Sequence, residues 1–211
     1  MVMKSKSGII CMALGLTLML GALFLYQFNR SEDRAAQQAA EDLMPQLMQQ
    51  IQEQTAANSQ NDTVSGLDLQ VPVELLSEED KKMTEKELDG NLYIGCLSIP
   101  KVGLDLPVMS SWSYPKLSIA PCRYAGSVRG EDLVLMAHNY DSHFGRLSRL
   151  DPGDSVVFTD MDGNAIYYEV VGEDVLPPNA VDELTSGDFD LTLFTCTYGG
   201  ANRLTIYCNR V

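Results

Sequence analysis

The sequence predicts an all-β domain with short helices, built as an eight-stranded closed β-barrel or sandwich, which follows an N-terminal transmembrane helix and a helical stalk. Three observations lead to this prediction. Short apolar runs recur between residues 92 and 208 with turn residues between them, as is typical of closed all-β folds. Residues 8–28 contain no charged side chain, and residues 31–56 are rich in Ala, Gln, Glu and Met.

The uncharged segment, Gly8 to Phe28, is expected to be a single-pass membrane anchor after a short tail, residues 1–7. Its 21 residues would span about 31 Å as a helix, close to the hydrocarbon thickness of a bilayer. A cleaved signal peptide is the alternative, but its apolar core is usually about 7–15 residues long, and no small-residue cleavage site directly follows. Two basic residues lie on each side, so the charge count does not orient the segment.

Residues 29–76 are predicted to form a helical stalk and linker. Leu43, Leu47 and Ile51 lie at helical spacing, while Pro45 weakens any single continuous helix. The polarity of the segment favours a stalk surrounded by solvent. The alternative is that its apolar stripe packs on the barrel or pairs with another copy of the chain.

The part of the chain from residue 77 onward is long enough for one hydrophobic core and needs no second domain. Before it, residues 57–70 contain few large apolar side chains and are predicted to be a linker. A short helix is predicted to begin at Ser77, because acidic residues in its first turn suit the helix dipole. The eight predicted strands are 92–99, 104–109, 119–126, 132–137, 154–160, 164–172, 191–196 and 203–208.

A thiol lies at the end of the seventh predicted strand, in the run Thr-Leu-Phe-Thr-Cys that ends at Cys196. A Gly-containing stretch, residues 198–202, leads into the last strand, which begins at Arg203. This strand, loop and returning strand would place Cys196 at the exit of one strand and Arg203 at the entrance of the next. We therefore expect a nucleophile and a fixed cation to face one pocket.

A reactive thiol needs a proton partner, and histidine is the usual one because its pKa lies near neutrality. The chain contains two histidines. His138 directly follows the continuous apolar run 132–137, so a buried strand would fix its position. His143 lies in a polar stretch and is expected to be structural. His138 is therefore the candidate partner of Cys196.

The order His138, Cys196, Arg203, together with the Thr-Leu-x-Thr-Cys signature, resembles the sortases, the cysteine transpeptidases of Gram-positive surfaces. The resemblance covers about residues 90 to 211 and includes the opening strand 94–100 and the segment 143–150. It implies a sortase-type eight-stranded barrel within a catalytic domain that spans residues 77–211.

The resemblance also implies the chemistry. Cys196 would attack the threonine carbonyl of an LPxTG-like sorting signal, His138 would transfer protons, and Arg203 would stabilise the oxyanion. Thr195 is expected to assist substrate binding through its hydroxyl or its backbone. The acyl group would pass to an amine of a peptidoglycan precursor or another acceptor. No cofactor or metal is expected.

Partners and location follow from the same resemblance. The expected partners are secreted proteins with a C-terminal sorting signal, and the expected location is the cell membrane, with the N-terminus in the cytoplasm and the catalytic domain outside. A net charge of −14 argues against a nucleic-acid partner. The cysteines at 96, 122 and 208 are expected to be core residues, although an oxidising environment permits a bridge between two of them.

Several alternatives remain open at the level of sequence. A pilus-type sortase joins protein to protein, but the chain ends at Val211 without a C-terminal membrane helix and has no Asp-Pro-aromatic lid motif, which favours wall anchoring. Another thiol hydrolase or an L,D-transpeptidase is a second alternative, although the latter usually places its cysteine in a Ser-x-Gly-Cys setting. A catalytically inactive, membrane-tethered binding module is the third.

Overall fold

One long N-terminal helix precedes a closed β-barrel in the computed structural model, which describes residues 6–61, 77 and 81–211. Within these described residues the chain forms nine strands. They are β1 (Lys86–Leu88), β2 (Asn91–Ile99), β3 (Leu104–Met109), β4 (Cys122–Ala125), β5 (Leu133–Met136), β6 (Ser155–Asp160), β7 (Ala165–Leu176), β8 (Leu191–Cys196) and β9 (Arg203–Arg210).

Eight of the described strands, β2 to β9, close the barrel. The sheet runs in the order β1-β2-β3-β4-β5-β8-β9-β7-β6, and a further pairing between β2 and β6 closes it. The pairs β3–β4 and β5–β8 are parallel, and the other pairs are antiparallel. The predicted eight-stranded barrel is therefore confirmed, and β1 is an additional short strand at the edge of β2 that the sequence did not indicate.

Alternation along the strands separates an inner from an outer face of the barrel. Leu133, Leu135 and Leu193 point inward and belong to the main apolar core. Val134 and Phe194 point the other way and form a separate outer cluster. On β5 and β8, every second residue counted from Val134 and from Phe194 therefore faces the outside of the barrel.

The helix α1 spans Lys6–Asn61 without a break, and its first part is long and apolar enough to cross a membrane. The expected interruption at Pro45 is absent. Pro45 lies inside the helix, on the side that is exposed to solvent. Glu41, whose carbonyl loses its helical N–H partner to the proline, is also an exposed residue.

The second part of α1 packs on the barrel, so the expectation of a stalk surrounded by solvent is wrong and the alternative, packing on the barrel, is correct. Leu43, Leu47 and Ile51 are buried in one cluster with Tyr93 of β2 and Met109 of β3. Each such side chain contributes about 1.5–3 kcal/mol on burial. Together they outweigh the roughly 3 kcal/mol that a proline costs inside a helix.

Short helices connect the strands. They are α2 (Tyr114–Leu117), α3 (Val181–Leu184) and the 3-10 turns Pro100–Val102, Phe144–Arg149 and Tyr198–Gly200. The first residues of the predicted linker continue α1 as far as Asn61, while the rest of it lies outside the described residues. The helix predicted from Ser77 also lies largely outside them.

Candidate active site

The parallel pairing of β5 with β8 brings His138 and Cys196 to the same end of the barrel, next to each other. Met136 is paired with Phe194, and the backbone N–H of Ala137 donates to the carbonyl of Phe194 at 3.3 Å. His138 and Cys196 each follow that pair by two residues. Because side chains alternate along a strand, both share the parity of the outward-facing Phe194.

Arg203 lies directly opposite Cys196 in the antiparallel pairing of β8 with β9. Residues that lie opposite each other in an antiparallel pair project from the same face of the sheet. The structure therefore brings the three predicted residues, His138, Cys196 and Arg203, to one end and one outer face of the barrel. Cys196 is partly exposed there.

The loop between Cys196 and Arg203 holds the guanidinium. Nη1 of Arg203 donates to the carbonyls of Gly200 and Asn202, at 3.2 and 3.1 Å. Gly199 and Gly200 adopt left-handed conformations, with φ of 80° and 73°, which lets the chain turn tightly enough for these carbonyls to face the arginine. One edge of the guanidinium is thus fixed by the loop.

Thr195 has a different position from the one expected of a substrate contact. Its side chain is buried, and its hydroxyl donates to the carbonyl of Ala137 at 2.8 Å. This bond joins β8 to the residue before His138, so the hydroxyl holds the two strand ends together. The expectation of a hydroxyl contact with substrate conflicts with this geometry, and a backbone contact stays a prediction.

His138 packs against Tyr140, with a ring-centroid distance of 4.9 Å. Burial lowers the pKa of His138 below its usual 6.5, and the nearby carboxylate of Glu32 on α1 opposes this shift in part. The ring is therefore neutral at pH 7, which is the form that accepts a proton.

Two acidic residues of α1 contact the loop that follows His138, and sequence reasoning missed both. The backbone N–H and the hydroxyl of Ser142 donate to Oδ1 of Asp33 at 2.9 and 2.7 Å. The hydroxyl of Tyr140 donates to Oε2 of Glu32 at 3.5 Å. More than 100 residues separate the partners, so no local pattern could have indicated these contacts.

His143 is fully buried beneath this loop, and its ring lies 5.6 Å from that of Tyr140. Neither ring nitrogen makes a hydrogen bond of good geometry among the described residues, although the backbone of Ile119 lies near enough to raise the pKa of the ring in part. Burial, with a smaller contribution from His138, lowers the pKa of His143 to about 4. Its position agrees with the structural role expected from the sequence.

The other three cysteines of the barrel, Cys96, Cys122 and Cys208, are buried and free in the described structure. Burial raises the pKa of Cys122 and Cys208 to about 12, so both stay protonated and unreactive at neutral pH. Within the described barrel, Cys196 is thus the cysteine that is open to solvent.

A cavity of about 600 Å³ lies between α1 and the loops that follow His138 and Cys196. Its wall combines polar and charged side chains of α1 with the tips of both loops. The lining residues are Tyr26, Asn29, Arg30, Asp33, Arg34 and Gln37 of α1, and Asn139, Tyr140, Asp141, Tyr198 and Gly199 of the loops.

Comparison with known proteins identifies the family. Residues 97–211, more than half of the chain, match the family model described as Sortase domain. No curated protein sequence matches the chain.

Among solved structures, sortase C1 of Streptococcus agalactiae is similar at 25% identity with a TM-score of 0.51, over 56% of this chain and 69% of that one. Sortase C of Streptococcus pneumoniae (21% identity, TM-score 0.55, 82% and 96% covered) and sortase C of Clostridium perfringens SM101 (22%, 0.52, 88% and 97%) share the fold. The chain belongs to the sortase family of cysteine transpeptidases.

Proposed function

We propose that this sortase is anchored in the cell membrane, cleaves an LPxTG-like sorting signal through a thioacyl intermediate on Cys196, and transfers the protein to an amine acceptor of the cell wall. The main support is the position of Cys196, His138 and Arg203 on one outer face at the ends of three neighbouring strands. The apolar first part of α1 supports the anchor.

The first half-reaction begins with neutral His138, which accepts the thiol proton of Cys196. The thiolate sulfur then bonds to the carbonyl carbon of the threonine in the signal. The bond to the following glycine nitrogen breaks, and His138 gives its proton to the leaving amine. The product is a thioester between Cys196 and the secreted protein.

Arg203 stabilises the oxyanion that forms on the attacked carbonyl. Nη1 is held by the loop, so the guanidinium keeps one orientation while its remaining N–H groups serve the substrate. A donor fixed in advance needs no reorganisation as charge develops, which is why such donors accelerate acyl transfer.

The second half-reaction reverses these roles. An amine attacks the thioester carbonyl, His138 removes the proton from the attacking nitrogen, and the bond to the Cys196 sulfur breaks. The new amide joins the secreted protein to the acceptor, and the thiol is restored. No electron is gained or lost, so the chemistry requires no redox cofactor.

Trapping the thioester tests the first half-reaction. The full chain in detergent micelles is incubated with a library of LPxTG-like peptides, quenched with acid, and analysed by intact-protein mass spectrometry. We expect a mass increase equal to the acyl half of the peptide, which Cys196→Ala abolishes and Cys11→Ser, a change of the exposed thiol on α1, retains. An adduct or cleaved peptide with Cys196→Ala would overturn the assignment.

Adding amines to the same assay tests the second half-reaction. Transfer to an oligoglycine or diamino acid amine is expected for wall anchoring. Transfer restricted to a lysine side chain of a folded protein would indicate a pilus-type sortase, and release to water alone would indicate a thiol hydrolase. Complete inactivity with a folded barrel would favour the binding module.

A further inference from the structure

The apolar part of α1 ends beside the loop that follows Cys196. Tyr26 and Asn29, at the end of the uncharged segment, line the same cavity as Tyr198 and Gly199. Arg30 donates to the hydroxyl of Tyr26 at 2.8 Å, so the first cation after the segment lies at this level too. The helix α1 is continuous through this region, so the loop after Cys196 lies beside the residues at which the apolar segment ends.

The opposite end of the barrel points away from that segment. Leu176, the last residue of β7, pairs with Arg203, whereas Tyr168 near its start pairs with Arg210. Far along α1, the side chain of Thr55 contacts Gly163 in the hairpin between β6 and β7. The helix therefore runs along the barrel from the Cys196 end to the far end, about 38 Å for the 25 residues from 30 to 55.

Tyr198 has the exposure and chemistry of a residue that contacts a bilayer surface. It is 95% exposed at the tip of the loop between Cys196 and Arg203. A tyrosine with an apolar ring and a polar hydroxyl favours the interface between lipid tails and water. Arg30 and Arg34 line the adjacent cavity together with Asp33 and Asp141, and Asp33 is bound to Ser142 of the loop after His138. The two arginines are cations of the kind that attract lipid phosphates.

We propose that the loop of residues 197–202 docks on the surface of the bilayer in which α1 is anchored, with Tyr198 in the interfacial layer and Arg30 and Arg34 facing lipid phosphates. The partner is a phospholipid surface. The inference rests on the proposed anchor. With the loop docked in this way, Cys196 and Arg203 lie next to the lipid headgroups, so both the sorting signal and the acceptor reach the site at the membrane surface.

Depth-dependent fluorescence quenching tests the docking. The single tryptophan, Trp112, is first replaced by phenylalanine. A new tryptophan is then introduced into the full chain as Tyr198→Trp or, as a matched control at the far end of the barrel, as Tyr167→Trp, where the native ring is 56% exposed. The proteins are reconstituted into phosphatidylcholine and phosphatidylglycerol vesicles with lipids that carry a quencher near the headgroup. Circular dichroism melting checks that each variant folds.

We expect the tryptophan at position 198 to emit at shorter wavelength and to be quenched strongly, while the tryptophan at position 167 stays unquenched. Co-flotation with vesicles separates two kinds of failure. Protein that floats but shows equal, weak quenching at both positions would overturn the docking and leave the anchor intact. Protein that does not float would overturn the anchor and the docking together.

Discussion

Replacing His143 by phenylalanine should remove a pH-dependent part of the stability of the barrel. The imidazole is fully buried, and its two nitrogens make no hydrogen bond of good geometry among the described residues. A phenyl ring keeps the contact with Tyr140 and gives up only the weak polar contact of the imidazole with the backbone of Ile119. We therefore expect the variant to be at least as stable as the wild type at pH 7.5.

The size of the effect follows from the pKa. In the unfolded chain a histidine titrates near 6.5, whereas burial lowers the pKa of His143 to about 4. As the pH falls between these values the unfolded state binds a proton that the folded state does not, so the free energy of unfolding decreases. The free energy of unfolding falls by about 1.36 kcal/mol for each pH unit below the pKa of the unfolded chain. Between pH 7.5 and pH 5 the wild type should therefore lose about 2 kcal/mol of stability through this residue.

Urea denaturation of the full chain in detergent at both pH values measures this quantity, with the fluorescence of Trp112 as a signal from the barrel. Other groups titrate in the same range, so the relevant number is the difference between wild type and variant, from which their contributions cancel. His143→Leu serves as a second variant in case the phenyl ring is too large. Equal losses of stability in the wild type and in both variants would refute the reasoning.

Three further predictions concern the site and the helix. Arg203→Lys should lower kcat about 10²-fold or more, because a single ammonium cannot bind the loop carbonyls and the oxyanion at the same time. Peptide turnover comparable to the wild type would show that Arg203 does not belong to the site. Thr195→Val should cost about 1–3 kcal/mol of stability in denaturation, because it leaves the carbonyl of Ala137 without its partner, whereas Thr195→Ser keeps the bond and should stay close to wild type; equal stability of both variants would contradict this role. Leu47→Ala should cost about 2–5 kcal/mol, since the side chain is fully buried, and the exposed Gln52→Ala should cost almost nothing; equal stabilities would show that α1 does not pack on the barrel.

The strands were predictable because their apolar runs are bounded by turn residues, and the strand β8 was predicted with both ends correct. The strand β1 was not, since Lys86, Glu87 and Leu88 form no apolar run and become a strand only through pairing with β2. The length of α1 was also underestimated, because the contacts that stabilise it lie on the barrel and not within the segment. Pro45 argues against a helix when the segment is considered alone, whereas in the structure the burial of the neighbouring Leu43 and Leu47 compensates for it.

The positions of His138, Cys196 and Arg203 at strand ends followed from the sequence, because each lies next to a clear strand. The common face of Cys196 and Arg203 was also expected, but the position of His138 on that face was not, since it depends on the parallel register of β5 with β8. The contacts of Asp33 and Glu32 with the loop after His138 were also beyond sequence reasoning. They arise only when a helix and a loop that are distant in the chain pack together.

The parallel pairing of β5 with β8 also determines when the chain can become reactive. His138 and Cys196 are 58 residues apart, as are the bonded Thr195 and Ala137, and segments so distant in the chain pair slowly because the long loop between them must first be closed. A nascent or partly folded chain therefore carries a cysteine without a neighbouring base. Reactivity appears together with barrel closure, so the rate of thioester formation during refolding would report the completion of the fold.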